Sequence, residues 1–167
     1  IVLRPADMLA AAAKAADAAG YRPMVLGDAL EGEACDEGRA HAALVREMRA
    51  RGKRVAILSG GELTVTIGGP GRGGPNREYA LGLALALEGL EGVAALAIDT
   101  DGIDGAPDGA GAAIDAQTLA RARAQRLDPA AMLAANDSGG FFAALGDTIV
   151  TGPTGTNVND LRVILVE

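Results

Sequence analysis

Hydrophobic and polar positions along the chain switch between two periods, and each switch marks out an element. Residues 7–19 are alanine-rich at helical spacing and are followed by Gly20, which predicts a helix with Asp7 near its start and a glycine stop. A short apolar run at 22–26 reads as a strand. Residues 33–51 return to helical spacing, with acids early and bases late as the helix dipole prefers, and Gly52 ends them. Residues 54–58 read as a buried strand and Ser59-Gly60-Gly61 as a turn. A second strand is expected at 62–67, because Glu62, Thr64 and Thr66 alternate with Leu63, Val65 and Ile67.

Beyond this point glycine-rich loops separate the elements. Residues 68–74 form such a loop, and Pro75 with Asn76 opens a helix to about residue 88. A strand at 93–98 runs directly into Asp99-Thr100-Asp101-Gly102-Ile103-Asp104-Gly105. Helices are expected from Asp115 to about residue 125, from Asp128-Pro129 onward, and over 138–145, the last with Asn136-Asp137-Ser138 as its cap. Residues 149–150 and 161–166 read as strands on either side of a polar loop at 151–160. Helices and strands alternate throughout, which predicts an α/β fold: a mixed sheet with flanking helices and glycine-rich loops at strand ends. A shift in composition near Gly52 places a soft boundary there, with 1–52 expected to complete a region upstream and 53–167 forming the main unit.

Composition narrows the function classes. The chain has 167 residues, 49% hydrophobic and 22% charged, enough for a real core in a globular protein. Aromatics make up only 2%, so the core must be aliphatic, with some of the 24 glycines letting backbones approach closely. A net charge of -7 argues against nucleic-acid or anionic-membrane partners. The lone Cys35, with only His41 beside it, supports neither a disulfide framework nor structural zinc, and a cytoplasmic setting is expected. There is no apolar run of roughly 20 residues and no signal-peptide pattern. Ile1 is not an initiator Met and the helical pattern begins with little preamble, as in an excised fragment.

Three loops carry candidate chemistry. In residues 68–78 the missing side chains let backbone approach an anion, the following helix presents N–H groups, and Arg72 and Arg77 add forked donors for phosphate or carboxylate. A flexible connection with solvated arginines is the plainer reading. Gly69, Gly71 and Gly74 also match a dinucleotide fingerprint, with Asp99 ending the next strand. The alternation at 62–67 counts against it, since a first dinucleotide-binding strand is continuously apolar. The second loop gathers Asp99, Asp101 and Asp104, carboxylates that repel unless protonated, hydrogen-bonded or bridged by a cation such as Mg²⁺ with a nucleotide phosphate. The third, 151–160, offers hydroxyls, amides and glycines that can wrap an oxyanion or a sugar. His41 and Cys35 have no catalytic neighbours in sequence, and Arg121, Arg123 and Arg126 read as a solvated helix face.

Taken together, Ser59-Gly60-Gly61-Glu62 with Thr64-Val65-Thr66, the 71–78 stretch, 100–105 and 151–160 resemble, in order and spacing, the MOFRL domain of the type-2 glycerate kinases. Residues 26–34 resemble the end of the region upstream of it. The resemblance implies a cleft between this domain and a Rossmann-like N-terminal domain, absent from this chain. That cleft would bind ATP, Mg²⁺ and D-glycerate and yield 2-phosphoglycerate. Where the family often has Gly-Gly-Arg-Asn-Gln-Glu, this chain has Gly73-Gly74-Pro75-Asn76-Arg77-Glu78, so Pro75 replaces an arginine whose charge Arg72 or Arg77 would supply. The Gly-Gly-Pro-Asn form resembles the subgroup named hydroxypyruvate reductase.

On this reading Asp101 and Asp104 hold Mg²⁺ or orient the hydroxyl, and Arg72, Gly73, Gly74, Asn76 and Arg77 bind carboxylate or phosphate. Thr154, Gly155, Thr156, Asn157 and Asn159 close around the anion. The expected partners are D-glycerate, a nucleotide and the N-terminal domain of the same chain, with a homodimer as one assembly. Two alternatives stand beside it: an NAD(P)H-dependent hydroxypyruvate reductase, and a non-catalytic ligand-binding or dimerisation module.

Overall fold

The first element of the computed structural model, which describes residues 3–167, is helix α1 (Pro5–Ala18). Ile1 lies outside the described residues. The helix begins two residues before the expected start, because Arg4 is the cap residue and its backbone N–H donates to Asp7 (3.0 Å) in the first turn. Strand β1 (Arg22–Leu30) extends beyond 22–26, its pairing changing register around Gly27. Helix α2 (Ala34–Ala50) and strand β2 (Val55–Gly61) follow. Ser59-Gly60-Gly61 belongs to β2 and is not a turn: Ser59 pairs with Gly27 on one side and Arg162 on the other.

Residues 62–67 do not form the expected sheet strand. They keep an alternation of burial, with Leu63 buried and Glu62, Thr64 and Thr66 exposed, but both sheet neighbours of β2 are already committed. The segment instead makes a single bridge near α2, where Thr64 N–H donates to Gly32 O (2.8 Å) and Ala34 N–H to Thr64 O (2.9 Å).

Helix α3 (Pro75–Ala86) leads to β3 (Val93–Asp99) and β4 (Gly111–Asp115). Strand β4 has no counterpart among the elements expected from sequence, and it ends at Asp115, the expected start of a helix. Helices α4 (Thr118–Ala124), α5 (Pro129–Ala134) and α6 (Ser138–Leu145) come next, then β5 (Thr148–Ile149) and β6 (Asp160–Val166). The six strands lie in the order β1-β2-β6-β3-β4-β5; β1 and β2 are parallel and every other pair is antiparallel. This is the mixed-sheet α/β architecture expected from the sequence. Residues 22–50 contribute β1 and α2 to the same sheet and core as the rest.

The main core lies on the sheet face formed by Val55, Ile57, Ile164, Val93, Ala95 and Ile114, where α3 is the central helix and is buried from Asn76 to Ala84. On the opposite face Leu9 and Ala16 of α1 cover Ala56 and Leu58. Small residues let α2 and α3 meet closely: a Cβ on Gly38 would lie 2.6 Å from the Tyr79 carbonyl oxygen. His41 of α2 is buried and its Nδ1 lies 2.7 Å from the Tyr79 hydroxyl, a structural pairing. Burial, aided by the Arg162 charge, pushes the imidazole down to about 4. Arg121 is not a free surface cation; it pairs with Asp115 (2.9 Å) and Asp147 (2.5 Å) and ties α4 to the ends of β4 and α6. No helix among the described residues is long and apolar enough to cross a membrane.

Candidate functional site

Four chain segments meet at one end of the sheet. β2 ends there at Gly61, β3 ends at Asp99, β6 begins at Asp160, and α3 begins at Pro75. Their polar side chains are used largely on one another. Asp104 is 1% exposed, and its carboxylate accepts from Asn76 N–H (2.9 Å), Arg77 N–H (3.0 Å) and Arg77 Nε (3.0 Å). The guanidinium of Arg77, 0% exposed, also donates to Asp104 O (2.6 Å) and Asp108 (2.8 Å).

The N-terminus of α3 is therefore filled from within. Its cap residue is Gly74, which has no side chain to offer, and Pro75 has no N–H. The next two N–H groups receive the Asp104 carboxylate, which takes the place that the helix dipole would offer an external anion. Gly74 is required for this approach, since a Cβ there would run into the Asp104 backbone. Gly73 lies beside Gly105 in the same contact.

Asn76 extends the network to β6. Its amide donates to Asp160 (2.8 Å), which in turn pairs with Arg162, and Arg162 donates to Gly60 O (2.8 Å). Burial raises the Asp160 carboxyl above the ordinary range, against the Asn76 and Arg162 interactions. The neighbouring Asp99 is pushed up to about 6, first by burial and then by the charges of Asp101 and Asp160.

Asp101 sits differently. Its N–H donates to Asp99 (2.9 Å) and one of its carboxylate oxygens accepts from Ile103 N–H (2.8 Å). Among the described residues the other oxygen has no hydrogen-bond donor, and the residue is half-buried at the loop surface. The polar loop at 151–159 is stitched to this turn: Thr154 N–H donates to Asp101 O (3.0 Å), Thr100 N–H to Asn159 O (3.3 Å), and Val158 N–H to the Thr100 hydroxyl (2.9 Å). Thr154, Gly155, Thr156 and Asn157 remain exposed, while Asn159 is half-buried in a left-handed conformation (φ 63°). Arg72 stands at the tip of the glycine loop with its side chain 66% exposed.

The structure thus brings the predicted residues into one region but divides them. Asn76, Arg77 and Asp104 are buried and engaged internally; Arg72, Asp101 and Thr154 to Asn157 face outward. Sequence reasoning missed Asp160 and Arg162 as buried partners and Asp108 as the second carboxylate on Arg77. It also read Asn136-Asp137-Ser138 as a helix cap. Asp137 does occupy the cap position of α6 but makes no side-chain cap bond; its carboxylate accepts from Arg72 N–H (3.3 Å), and Asn136 binds the Gly68 and Gly69 N–H groups (2.7 and 2.9 Å).

The region that holds these contacts is also the region of recognised ancestry. The sequence profile of the MOFRL family matches residues 55–160. The chain belongs to the MOFRL family. Among its relatives is a protein of Agrobacterium vitis with the provisional name hydroxypyruvate reductase, 52% identical over 99% of this chain and 39% of its own length. The D-glycerate 2-kinase of Thermotoga maritima is 40% identical over 88% of this chain and 36% of its own. In three dimensions a crystal structure of glycerate kinase from Thermotoga maritima matches 98% of this chain and 41% of that one, with a TM-score of 0.95 and 37% identity. The chain spans about two fifths of the length of these MOFRL relatives.

Proposed function

We propose that this chain is the C-terminal part of a glycerate 2-kinase that phosphorylates D-glycerate from ATP to give 2-phosphoglycerate. The observation that carries the reading is the gathering of the family's ordered motifs at one sheet end, within a domain that superposes on a glycerate kinase at a TM-score of 0.95. Residues 1–52, which supply α1, β1 and α2 to the same fold as 53–167, would also lead to an N-terminal region in a protein of the relatives' length, with the substrate and nucleotide between the two parts in a cytoplasmic enzyme. A homodimer remains one expected assembly.

In-line phosphoryl transfer needs positioning and charge neutralisation more than covalent chemistry. Arg72 would offer its exposed guanidinium to a phosphate or to the glycerate carboxylate, and the hydroxyls and amides of 154–157 would close over the same anion. Asp101, with an open oxygen, would orient the substrate hydroxyl or face a cation. Mg²⁺ keeps several waters and takes one or two carboxylates plus phosphate oxygens, so a single open carboxylate at this loop fits it, whereas Asp104, with both oxygens engaged, does not. No group of three or more acidic, His or Cys residues among the described residues forms a metal cage. When bound, Mg²⁺ would neutralise charge developing on the transferred phosphate. Asp104, Asn76 and Arg77 would then act by holding the loops in place.

The reductase alternative draws on Gly69, Gly71 and Gly74. Segment 62–67 before that loop is outside the sheet, and the helix end where a pyrophosphate would sit carries Asp104. The deciding assay uses a protein of the relatives' length. Formation of 2-phosphoglycerate from ATP, Mg²⁺ and D-glycerate, with no oxidation of NADH or NADPH by hydroxypyruvate, is expected. Hydride transfer without phosphorylation would restore the reductase, and neither reaction would leave a non-catalytic module. Asp101→Asn should lower kcat by about a hundredfold or more, the scale of removing one charge-stabilising group. Near-normal turnover would remove Asp101 from the site. The 167-residue chain alone should phosphorylate nothing.

A further inference from the structure

The glycine loop is not free to wander, and one side chain closes its base. Asn136 lies in the turn between α5 and α6 with φ 56°, a left-handed conformation that Asn tolerates better than most residues. Its Oδ1 accepts from two successive backbone groups, Gly68 N–H (2.7 Å) and Gly69 N–H (2.9 Å). Its Nδ2 donates to Thr66 O and to the Glu78 carboxylate, both at 3.3 Å. An amide has one acceptor oxygen with two lone pairs and two N–H donors, and all four are in use. Thr66 to Gly69 enter the loop and Glu78 lies on the first turn of the helix that leaves it, so Asn136 is a cross-link between the loop's two stems.

We propose that Asn136 is a positioning residue for the phosphoryl-transfer site: it sets the entry and exit of the 68–74 loop, and through them the place of Arg72 at the loop tip. The role rests on the kinase reading above. Three further contacts run along the same seam, Gly71 N–H to Ala135 O (2.9 Å), Arg72 N–H to the Asp137 carboxylate (3.3 Å) and Gly139 N–H to Arg72 O (2.8 Å), so the loop is laid against residues 135–139 over its length. A cavity of about 370 Å³ lies beside the cross-link, lined by Val65, Ile67, Gly74, Pro75, Glu78 and Asn136. Without Asn136 the buried Glu78 loses the one side-chain donor that its carboxylate has among the described residues.

The test has two readouts. In the 167-residue chain, amide hydrogen exchange at Gly68 and Gly69 should accelerate about tenfold or more in Asn136→Ala, the scale of one lost hydrogen bond. Asn136→Gly, which adopts the left-handed conformation freely, should show the same acceleration and so separate the clamp from backbone strain. Asn136→Asp keeps an acceptor but sets a second carboxylate against Glu78, with Glu33 and Asp104 also acidic neighbours and Cys35 and Arg39 across the adjoining cavity. It should lose protection, and Asn136→Asp with Glu78→Gln should regain it to within about threefold, because the repulsion is gone. In a protein of the relatives' length the same order should appear in kcat, the KM for D-glycerate moving less than kcat. Wild-type exchange in Asn136→Gly, or no rescue in the double variant, would overturn the proposal. If the wild-type longer protein phosphorylates nothing, the kinase reading fails, while exchange still decides whether the clamp exists.

Discussion

Asp104→Asn isolates the internal filling of the α3 N-terminus. The substitution keeps the shape of the side chain and removes its charge, and it replaces one of the two acceptor oxygens with an NH2 group that must face a donor, either Asn76 N–H or the N–H and Nε of Arg77. Arg77 stays fully buried with Asp108, itself 39% exposed, as its remaining carboxylate. Removing one member of a buried ion pair costs about 3–5 kcal/mol, because the other charge is left without compensation. Against a total stability of about 5–15 kcal/mol this is a large fraction. With a urea slope of about 2 kcal/mol/M, a loss of 4 kcal/mol moves the midpoint down by about 2 M. It lowers Tm by about 8–16 °C for a domain of this size. Urea unfolding followed by far-UV circular dichroism measures it. Arg77→Met should cost less than Asp104→Asn, since Asp104 would keep its two helix N–H partners. A loss below about 1 kcal/mol for Asp104→Asn, the level of a surface ion pair, would show that the carboxylate is not holding the helix end.

Two other outcomes follow from the geometry. The folded Asp99 carboxyl titrates near 6 and the unfolded one near 3.8, so the folded state binds more protons between those values and this residue makes stability fall as pH rises through that window. Asp99→Asn should therefore gain stability relative to wild type on going from pH 4 to pH 7; parallel urea midpoints for the two proteins would refute the shift. Gly38→Ala should destabilise by about 1–3 kcal/mol through overpacking of α2 on α3, read by thermal melting. An unchanged Tm would mean that the two helices can separate without cost.

Much of this fold was legible because long periodic segments, such as 33–51 and 75–88, carry their own signal. What escaped was decided by neighbours. β4 is built from Gly111-Ala112-Ala113-Ile114-Asp115, almost without β-branched residues, and is a strand because β3 lies antiparallel beside it. Gly27 looks like a strand end, yet β1 continues past it along β2. Residues 62–67 show the reverse, an alternation with no partner to pair with. The same distinction runs through the site. Motif order pointed to loops that the fold does bring together at one sheet end, since glycine and aspartate runs are visible locally. The pairing of Arg77 with Asp104, 27 positions apart, and of Asn136 with Gly68, 68 apart, follows from tertiary contact that no spacing rule encodes.

The place of β6 has a consequence for how the protein is made. It follows the other five strands in sequence, yet it lies third in the sheet, hydrogen-bonded to β2 on one side and β3 on the other. While residues 160–166 are still inside the ribosome, β1 with β2 and β3 with β4 are two separate ribbons, each presenting an unpaired apolar edge to whatever else is in solution. Only β6 joins them, and the same step delivers Asp160 and Arg162 to the ends of β2 and β3. A chain without β6 would keep no continuous sheet, and the inner edges of β2 and β3 would both lie open to a chaperone or a protease.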